Sequence, residues 1–348
     1  MQEKDTSKKI LILTPFYPPN TGGAETFCHD LVQTISEYHN VDVLTFQPFE
    51  GGFVDYQEYN CGKGSINIRR IKWGIKHKTA WQGISFRNFF SVFPKMFFHA
   101  RSLIKTNRYD VVHAQGLLSA MVAVLLHKKV FITLLALYDF PSQKWYVNKL
   151  TQFVLNRCEK IFVEGENGAN DIRQFNVDKK VRMFNHWTDH KIFCLPDKRT
   201  DKTTNILFVG RPIKIKGMHI IKGAEKIINN NKYRFEYVTK VKFQKLPEIY
   251  KRNHICCVPS LYDEGYSRVV MEASSCGCAI ITSDRGSLPE QVRKFGIYIK
   301  ATPRNFSDVI KGVDHKKYGE RAYKYSRKYF SKDNAKVFLD AYENGNIR

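Results

Sequence analysis

The sequence predicts an α/β fold with parallel β-sheets, arranged as two successive units. Short apolar runs typical of buried strands alternate with longer segments of helical spacing, which is the pattern of parallel-sheet proteins. The strands fall into two series, separated by a polar, Pro-containing stretch at 195–204 (LPDKRTDKTT) that we interpret as a linker. With 348 residues, 43% of them hydrophobic, the chain can form two packed cores.

Each strand is predicted from a run of β-branched and other apolar residues. The runs are Lys9–Thr14, Val41–Phe46, Asp110–Ala114, Val130–Leu135 and Lys160–Val163, then Asn205–Gly210, Tyr233–Val238, Ile255–Pro259 and Ala279–Thr282. Helical spacing covers Glu25–Tyr38 and Tyr318–Tyr342. We predict an N-terminal domain at 1–195, a C-terminal domain at 196–317, and a final helical segment at 318–348 that packs back toward the N-terminal domain.

The apolar runs are too short for a secretory signal or a membrane span. The first strand follows the charged start of the chain directly and lacks a small-residue cleavage site. The longest other apolar run, Leu117–Leu126, has half the length that a bilayer span requires. We therefore expect a cytoplasmic protein without a transmembrane helix.

The eight cysteines do not predict a disulfide framework, because such frameworks belong to short secreted chains. Cys256 and Cys257, and likewise Cys276 and Cys278, could form a zinc site. Their spacing lacks the usual two-residue gap, and their surroundings are apolar and strand-like. Buried thiols that act as small hydrophobic side chains are the favoured interpretation.

The net charge of +23 is concentrated in residues 61–109, which contain eleven Lys or Arg and no Asp or Glu. Phe86, Phe89, Phe90, Phe93, Phe97, Ala100 and Ile104 fall there at helical spacing, Trp73 and Trp81 precede them, and Pro94 is expected to interrupt the helix. One hypothesis is an amphipathic surface that binds anionic lipid at the inner face of the cytoplasmic membrane. The other is a packed helix with a solvated basic face. We expect no nucleic-acid partner, because no RNA-stacking motif or zinc finger is present.

Candidate binding residues follow the predicted strands, where ligands bind in open α/β folds. Gly22 and Gly23 stand at a strand-to-helix turn, where backbone amides can approach a phosphate. Gly210 and Arg211 follow the first strand of the second series, and Lys216 comes shortly after them. Arginine and lysine in this position can neutralise a diphosphate. Each pattern alone is also compatible with ordinary turn geometry or a solvated basic loop.

Two carboxylates follow the strand that ends at Pro259. Glu264 and Gly265 are predicted in the loop, Ser267 is a plausible N-cap, and Glu272 lies within the first two turns of the next helix. A carboxylate accepts hydrogen bonds at both oxygens and therefore suits the hydroxyl groups of a sugar or a ribose. The alternative is a capping carboxylate beside an unrelated helix acid.

Taken together, these residues resemble glycosyltransferase family 4, a family of retaining enzymes with the GT-B fold of two facing Rossmann-like domains and a deep interdomain cleft. The resemblance covers nearly the whole chain. Its motifs are Gly22-Gly-Ala-Glu25, Asp110-Val-Val-His113-Ala, Asn185-His-Trp-Thr-Asp189 with Phe193, Gly210-Arg211 with Lys216-Gly217, Glu264 with Glu272, and Gly286-Ser-Leu-Pro-Glu290.

The resemblance implies a role for each candidate. Residues 1–195 would bind the acceptor and 196–317 the nucleotide-sugar donor, UDP- or GDP-linked, without a metal or other cofactor. Arg211 and Lys216 would stabilise the leaving diphosphate, Glu264 would contact the transferred sugar, and Glu272 the ribose. The remaining donor-binding candidates are Gly22, Gly23, Gly210, Gly265, Tyr266 and Ser267.

The acceptor side is less complete. The family has a His shortly after the Thr of the fifth N-terminal strand, and Leu135 stands at that place. His113 and Arg268 are candidate sugar or acceptor contacts, although His113 is also compatible with a structural role and Arg268 with covering a helix face.

The predicted function is transfer of a hexose or N-acetylhexosamine to a glycan or lipid-linked acceptor, in the synthesis of cell-surface polysaccharide or glycoconjugate. The alternatives are a GT-B nucleotide-sugar epimerase, or a non-catalytic basic membrane-binding protein on a glycosyltransferase scaffold.

Overall fold

The structure is a computed structural model of the chain, and it describes residues 7–20, 22–48, 56–61, 64–73, 86–135, 139–197, 199 and 202–343. These residues form two compact units. The first consists of the residues up to Phe184 together with those from Ala335 onward, and the second consists of Asn185–Asn334. Within the predicted basic segment at 61–109, residues 62–63 and 74–85, Trp81 among them, lie outside the described residues.

The first unit is built on an eight-stranded sheet. Its strands are β1 (Lys9–Leu13), β2 (Asn40–Phe46), β3 (Tyr56–Cys61), β4 (Gly64–Ile71), β5 (Val111–Gln115), β6 (Val130–Leu134), β7 (Lys160–Glu164) and β8 (Val181–Phe184). They lie in the order β3-β4-β2-β1-β5-β6-β7-β8, and only β3 is antiparallel to its neighbour. Chain order reverses between β1 and β5, so the ends of these two strands mark the switch point where open α/β sheets bind ligands.

Six α-helices cover this sheet: α1 (Gly23–Ile35), α2 (Phe86–Thr106), α3 (Leu117–Leu126), α4 (Trp145–Arg157), α5 (Gly165–Ile172) and, from the far end of the chain, α12 (Lys336–Glu343). Apolar residues of α2, α3 and α4 share one core with alternate residues of the strands. Residues of α1 and α12 pack against the other set, as Phe338 does on Phe162 with ring centroids 4.3 Å apart. Alternation along each strand therefore separates the two helical layers.

The second unit has a five-stranded parallel sheet. Its strands are β9 (Thr204–Val209), β10 (Tyr233–Val238), β11 (Ile255–Val258), β12 (Ala279–Ser283) and β13 (Ile297–Ile299), in the order β10-β9-β11-β12-β13. Its helices are α6 (Met218–Ile228), α7 (Leu246–Lys251), α8 (Arg268–Ser275), α9 (Leu288–Val292), α10 (Pro303–Gly312) and α11 (His315–Tyr329). The strands are buried on both faces by two hydrophobic clusters.

The linker prediction at 195–204 is wrong, because the described residues of this stretch belong to the second unit. Arg199 donates hydrogen bonds to the carbonyl oxygens of Lys251 and Gly277, the second at 2.7 Å. The preceding residues also belong to that unit, since the amide of Thr188 donates to the carbonyl of Phe330 at 3.1 Å. The unit boundary therefore lies at 184/185, directly after the edge strand β8, and not at 195/196.

The final helical segment at 318–348 was predicted as one piece, and the structure divides it. The helix α11 belongs to the second unit, a 3-10 turn follows at Lys332–Ala335, and α12 belongs to the first unit. Residues 344–348 lie outside the described part.

Pro94 does not interrupt α2, which is one helix of 21 residues with the proline inside. A proline in a helix interior costs about 3 kcal/mol, because it removes one hydrogen bond and crowds the preceding turn. Val92 and Met96, on either side of Pro94, are fully buried in the core of the first unit, so packing holds both halves of the helix in line.

The paired cysteines are buried, free thiols. Cys256, Cys257, Cys276 and Cys278 are almost completely inaccessible, and burial raises the pKa of each, to about 11 for Cys278. Cys256 and Cys257 point into different core clusters, as adjacent strand residues must. Among the described residues, no group of three or more His, Cys, Asp or Glu side chains is placed to hold a metal ion.

Candidate functional site

Two loops at the carboxyl edge of the second sheet are locked together by a glycine. Gly217 ends the turn after β9 with φ +74°, and a Cβ at this position would lie 1.9 Å from the carbonyl oxygen of Pro259. The amide of Leu261 donates to the carbonyl of Ile215 at 2.8 Å, which joins the same two loops. Only glycine tolerates both the backbone angle and the close approach. This contact fixes Lys216 beside the loop that follows β11.

Lys216 forms a partly buried ion pair with Glu264. Its ammonium donates to Glu264 Oε1 at 2.7 Å and to the hydroxyl of Tyr262 at 2.8 Å. Ser260 donates a further hydrogen bond to the same carboxylate oxygen. Burial lowers the pKa of Lys216, but the charge of Glu264 and the hydrogen bonds of Glu264 and Tyr262 outweigh it, so this pKa lies above its usual value. Lys216 is therefore a fixed positive charge.

Arg211 contrasts with Lys216 in being free. It lies in the loop between β9 and the turn that carries Lys216, and it is exposed. No hydrogen bond or ion pair joins its side chain to any residue in the described part of the chain. Gly210 precedes it, and a Cβ there would lie 3.2 Å from the ring of Phe208 and 3.8 Å from Lys216 Cβ. A free guanidinium and a fixed ammonium thus follow the same strand.

The loop that carries Glu264 is held by the loop after β12. Gly286 has φ +54°, and a Cβ there would lie 2.2 Å from the carbonyl oxygen of Glu264. The amide of Ser287 donates to that same oxygen at 2.8 Å. The hydroxyl of Tyr266 donates to Glu290 Oε1 at 2.8 Å. Gly265, half-buried, lies between these two attachments.

Ser267 stands at the N-cap of α8, but its side chain makes no capping hydrogen bond. Its backbone is fixed instead by Gln291, which accepts from the Ser267 amide at 2.9 Å and donates to the Ser267 carbonyl at 3.0 Å. Ser267 therefore stands at the N-cap as predicted. The hydrogen bonds that fix its backbone come from Gln291, which lies on α9.

Glu272 is the fifth residue of α8 and is only 4% exposed. Arg268 Nε donates to Oε1 at 3.3 Å, and the hydroxyl of Tyr250 donates to Oε2 at 3.0 Å. Burial, together with the charge of Glu272, raises the pKa of Tyr250 well above its usual value, so this hydroxyl remains a donor. Arg268 itself is buried, and its described contact is with Glu272.

The candidates in the first unit have a different character. Gly22 is the N-cap of α1 without a side-chain cap, and Gly22 and Gly23 are both exposed. Leu135 is half-buried directly after β6, and residues 136–138 lie outside the described part. The first turn of α1 thus presents backbone amides next to the end of β1, whereas the end of β6 presents an apolar side chain.

His113 lies in the core of the first unit and is completely buried. One ring nitrogen shares a hydrogen bond with the hydroxyl of Tyr342, and the other with the hydroxyl of Thr133 at 2.7 Å. Burial lowers the pKa of His113 to about 3, so the ring is neutral. Both nitrogens are engaged inside the protein, and these surroundings favour the structural interpretation over a sugar contact.

Several residues that hold the site were not singled out from the sequence, among them Tyr262, Gly286 and Tyr250. Tyr262 stands two positions before Glu264, and its short distance to that residue along the chain was a usable signal. Gly286 was part of a quoted motif, but its role as a contact for Glu264 depends on tertiary structure. Tyr250 lies 22 residues before Glu272, and no local pattern connects the two.

Two protein-family models match the chain. Residues 21–191 match the model described as Glycosyltransferase Family 4, and residues 224–329 match the model described as Glycosyl transferases group 1. Together the two matches include the candidates of the first unit and also Glu264 and Glu272 of the second, whereas Gly210, Arg211 and Lys216 lie between the matched ranges.

Known proteins show the same similarity. The phosphatidylinositol N-acetylglucosaminyltransferase gpi3 subunit of Schizosaccharomyces pombe is 22% identical over 322 residues, which cover 80% of this chain but only 66% of that protein. Among solved structures, sucrose-phosphate synthase from Thermosynechococcus elongatus aligns with a TM-score of 0.79 at 17% identity, covering 96% of this chain and 98% of that one. HepE from Anabaena, in complex with UDP-glucose, aligns with a TM-score of 0.68 at 12% identity, covering 96% and 99%. The chain therefore belongs to glycosyltransferase family 4, has the GT-B fold of two Rossmann-like units, and is a glycosyltransferase.

Proposed function

We propose that this glycosyltransferase moves a hexose or N-acetylhexosamine from a UDP- or GDP-sugar to a glycan or lipid-linked acceptor, with retention of configuration and without a metal. The observation that carries the proposal is the ammonium of Lys216, which lies after the end of β9 and is held there by Glu264 and Tyr262. The free guanidinium of Arg211 in the same loop supplies a second positive charge.

These two cations suit a leaving diphosphate. As the glycosidic bond breaks, negative charge grows on the diphosphate, and fixed positive charges stabilise it without reorganising at that moment. The ammonium has three donors and uses two of them within the protein, so its third remains for a phosphate oxygen. Arg211 can bind a second oxygen in a planar fork.

The carboxylates have a positioning role in this proposal. Glu264 retains oxygen lone pairs beyond those that Lys216 and Ser260 occupy, and it accepts hydrogen bonds from the sugar hydroxyls. Glu272, aligned by Arg268 and Tyr250, accepts from the ribose. The glycines of the first unit, Gly22 and Gly23, are exposed, so the backbone amides of the first turn of α1 are open to an anionic group of a substrate.

The relatives support the substrate class. HepE was solved with UDP-glucose, which supports a UDP-linked hexose as donor. The name of the gpi3 subunit describes transfer of N-acetylglucosamine to phosphatidylinositol, which supports an N-acetylhexosamine and a lipid acceptor. This chain spans only 66% of that relative. The donor and acceptor of this chain are therefore identified by the experiments below.

A lipid-linked acceptor implies a membrane partner. We propose that the protein is cytoplasmic and binds peripherally to the inner face of the cytoplasmic membrane through its basic segment at 61–109, with no role for nucleic acid. Among the described residues, no helix is long and apolar enough to span a bilayer. The eleven basic residues of this segment, with no acid among them, suit the negative surface of anionic lipid.

The first experiment is a donor panel. The purified protein is incubated with UDP- and GDP-linked glucose, galactose, mannose and N-acetylglucosamine, with and without detergent-solubilised lipid acceptors, and nucleotide release is followed. We expect release with one donor, stimulation by an acceptor, and full activity in EDTA. NMR of the product is expected to show the anomeric configuration of the donor. Absence of release from every donor contradicts the proposal.

The epimerase alternative is separated by the same panel, because it releases UDP and free sugar without any dependence on acceptor. The non-catalytic alternative predicts nucleotide binding or lipid binding with no release at all. Glu264→Gln adds a further test, since it removes one charge and keeps the size. We expect this variant to lose transfer activity while its melting temperature stays close to that of the wild type. A large fall in melting temperature with normal activity would support a purely structural Glu264.

A further inference from the structure

Three helices of the first unit differ from all other described α-helices in their charge. The 21, 10 and 13 residues of α2, α3 and α4 include no Asp or Glu, whereas every other described α-helix has at least one. The helix α2 contacts α3, and α3 contacts α4. All three pack on the same face of the sheet. The three acid-free helices therefore form a continuous layer that extends beyond residue 109, with Asp110 and Asp139 in the connections beside them.

The outer surface of this layer carries the most exposed large hydrophobic side chains in the described part of the chain. Trp145 on α4 is 70% exposed, and Phe90 and Phe98 on α2 are each 66% exposed. Leu125 on α3 and Tyr146 on α4 are exposed as well. Single exposed apolar residues are common on soluble proteins. Their concentration on three adjoining helices indicates an interaction surface.

Basic residues accompany these apolar side chains on both outer helices. Phe98, Arg101 and Lys105 follow one another at positions i, i+3 and i+7 of α2, and all three are exposed. On α4, Lys149 follows Trp145 by one turn, and its ammonium lies 5.1 Å from the centre of the indole ring. Exposed aromatic rings beside cations, on helices that contain no acid, suit the boundary between an anionic headgroup layer and the acyl chains.

The connections between helices and strands fix the direction in which the helices of this layer run across the sheet. The helices α2 and α4 end just before β5 and β7, so both run from the carboxyl edge of the sheet to its amino edge. Phe90 lies near the start of α2, and Trp145 is the first residue of α4. Both therefore lie toward the carboxyl edge, where the loop with Gly22 follows β1.

We infer that the layer formed by α2, α3 and α4 docks the protein on an anionic lipid bilayer, with Trp145, Phe90 and Phe98 inserted among the headgroups. The role of this docking rests on the proposed function. It brings the carboxyl edge of the first sheet to the bilayer, where a lipid-linked acceptor enters. The inference adds α4, which lies outside 61–109, and assigns insertion to named side chains. A nucleic-acid surface would use the cations but would not account for exposed Phe and Leu side chains.

The test is vesicle co-sedimentation with the full chain. Vesicles contain either phosphatidylcholine alone or phosphatidylcholine mixed with phosphatidylglycerol, and the salt concentration is varied. We expect binding to the anionic vesicles only, weakened by salt. Combined Phe90→Ala, Phe98→Ala and Trp145→Ala is expected to reduce the partition coefficient at least about tenfold through the apolar area lost. Combined Arg101→Glu and Lys149→Glu is expected to reduce it at least about tenfold as well.

A matched control comes from the second unit. Ile227 and Lys226 are adjacent and exposed on α6, so Ile227→Ala with Lys226→Glu makes the same kinds of change away from the layer. This control is expected to bind vesicles like the wild type. Because every changed side chain is exposed, melting temperatures are expected to stay unchanged, and donor hydrolysis in detergent is expected to persist in all variants. If the wild type itself does not hydrolyse any donor, the proposed function is contradicted, whereas the docking inference is unaffected.

The inference is overturned by any of three results. They are equal binding to neutral vesicles, unchanged binding after Trp145, Phe90 and Phe98 are replaced, and binding to duplex nucleic acid with none to vesicles.

Discussion

The carboxyl edges of the two sheets differ in how their polar groups are satisfied. In the second unit, Lys216, Glu264 and Tyr262 form hydrogen bonds with one another, and neighbouring loops fix them through Gly217. In the first unit, Gln115 at the end of β5 is only 7% exposed, yet neither atom of its amide has a partner among the described residues. Lys216, Glu264 and Tyr262 are therefore held by mutual contacts, while Gln115 is left unpaired by the described part of its own unit, as Arg211 is in the second unit.

The largest expected effect concerns the charge of the second unit's site. Lys216→Ala is expected to raise the activation free energy of transfer by about 2–4 kcal/mol, because one fixed positive charge facing the leaving group is removed. The matched control is Lys214→Ala, an exposed lysine of the same turn, which is expected to keep most of the activity. Both are compared by kcat/KM in the donor assay. Equal activity of the two variants would remove Lys216 from the proposed mechanism.

The next effect tests whether the loops of the second unit depend on their glycine. Gly217→Ala is expected to lower the free energy of unfolding by about 2–3 kcal/mol, since φ is +74° and the Cβ would meet Pro259. Gly312→Ala, where a Cβ meets no atom within 4 Å, is expected to change it by less than about 0.5 kcal/mol. Urea unfolding of the two variants measures the difference. Similar values for both would mean that the two loops are not rigidly joined.

A third effect tests the core of the first unit through pH. His113 has its pKa lowered to about 3 in the folded protein, against 6.5 for the free side chain, because burial disfavours the charged ring. The unfolded chain then binds the proton first, so stability is complete above pH 6.5 and falls as pH drops toward 3. His113→Gln is expected to reduce that slope by up to about 1.4 kcal/mol per pH unit.

The measurement is thermal or urea unfolding of both proteins from pH 7 to pH 4. His39, whose pKa is also lowered, chiefly by burial, leaves part of the slope in place. Identical slopes for wild type and His113→Gln would show that the ring is accessible to solvent, and the sugar-contact interpretation would gain support.

The smallest effect sharpens the role of Tyr250. Tyr250→Phe removes the hydroxyl that donates to Glu272 and is expected to cost about 1 kcal/mol of folding stability, because one buried acceptor loses its partner. Tyr298→Phe, at an exposed ring of β13, is the control and is expected to be neutral. Nucleotide affinity measured by calorimetry separates the two roles of Glu272. A weakened affinity in Tyr250→Phe alone would support ribose binding.

The sequence predicted the central strands of both sheets well, because parallel strands buried on both faces are continuous apolar runs. The edge strand β10 was predicted at Tyr233–Val238, but the other edge strands were not, and neither was β4, which lies beside β3. Of these, β8 and β13 have four and three residues, and β3 pairs antiparallel in a hairpin with β4, so their patterns are short or mixed in polarity. The boundary was predicted at 195 because the polar stretch at 195–204 was interpreted as a linker, and β8, the strand that ends the first unit, was not predicted.

The candidate site was predictable where its residues lie close together in the chain. Arg211, Lys216, Glu264 and Glu272 were found from strand ends and short spacings. The partners that hold them, such as Tyr250 and Gln291, come from other elements and meet the site only after folding. The helical spacing of the sequence also could not predict which side chains of α2 are exposed. Phe90 and Ala100 were both assigned to the apolar stripe of α2, but Phe90 is exposed, whereas Ala100 is buried together with Val92 and Met96.

The helix α12 has a consequence for the order in which the chain is made. Its Phe338 and Tyr342 complete the core of the first unit, against Phe162 and His113, and Lys8 donates to the carbonyl of Glu343 at 2.8 Å. During synthesis these residues leave the ribosome after the whole of Asn185–Asn334. The second unit can therefore fold while the first still lacks its last helix, which reverses the usual N-terminal-first sequence. Nascent chains stalled before residue 336 would expose this core to chaperones.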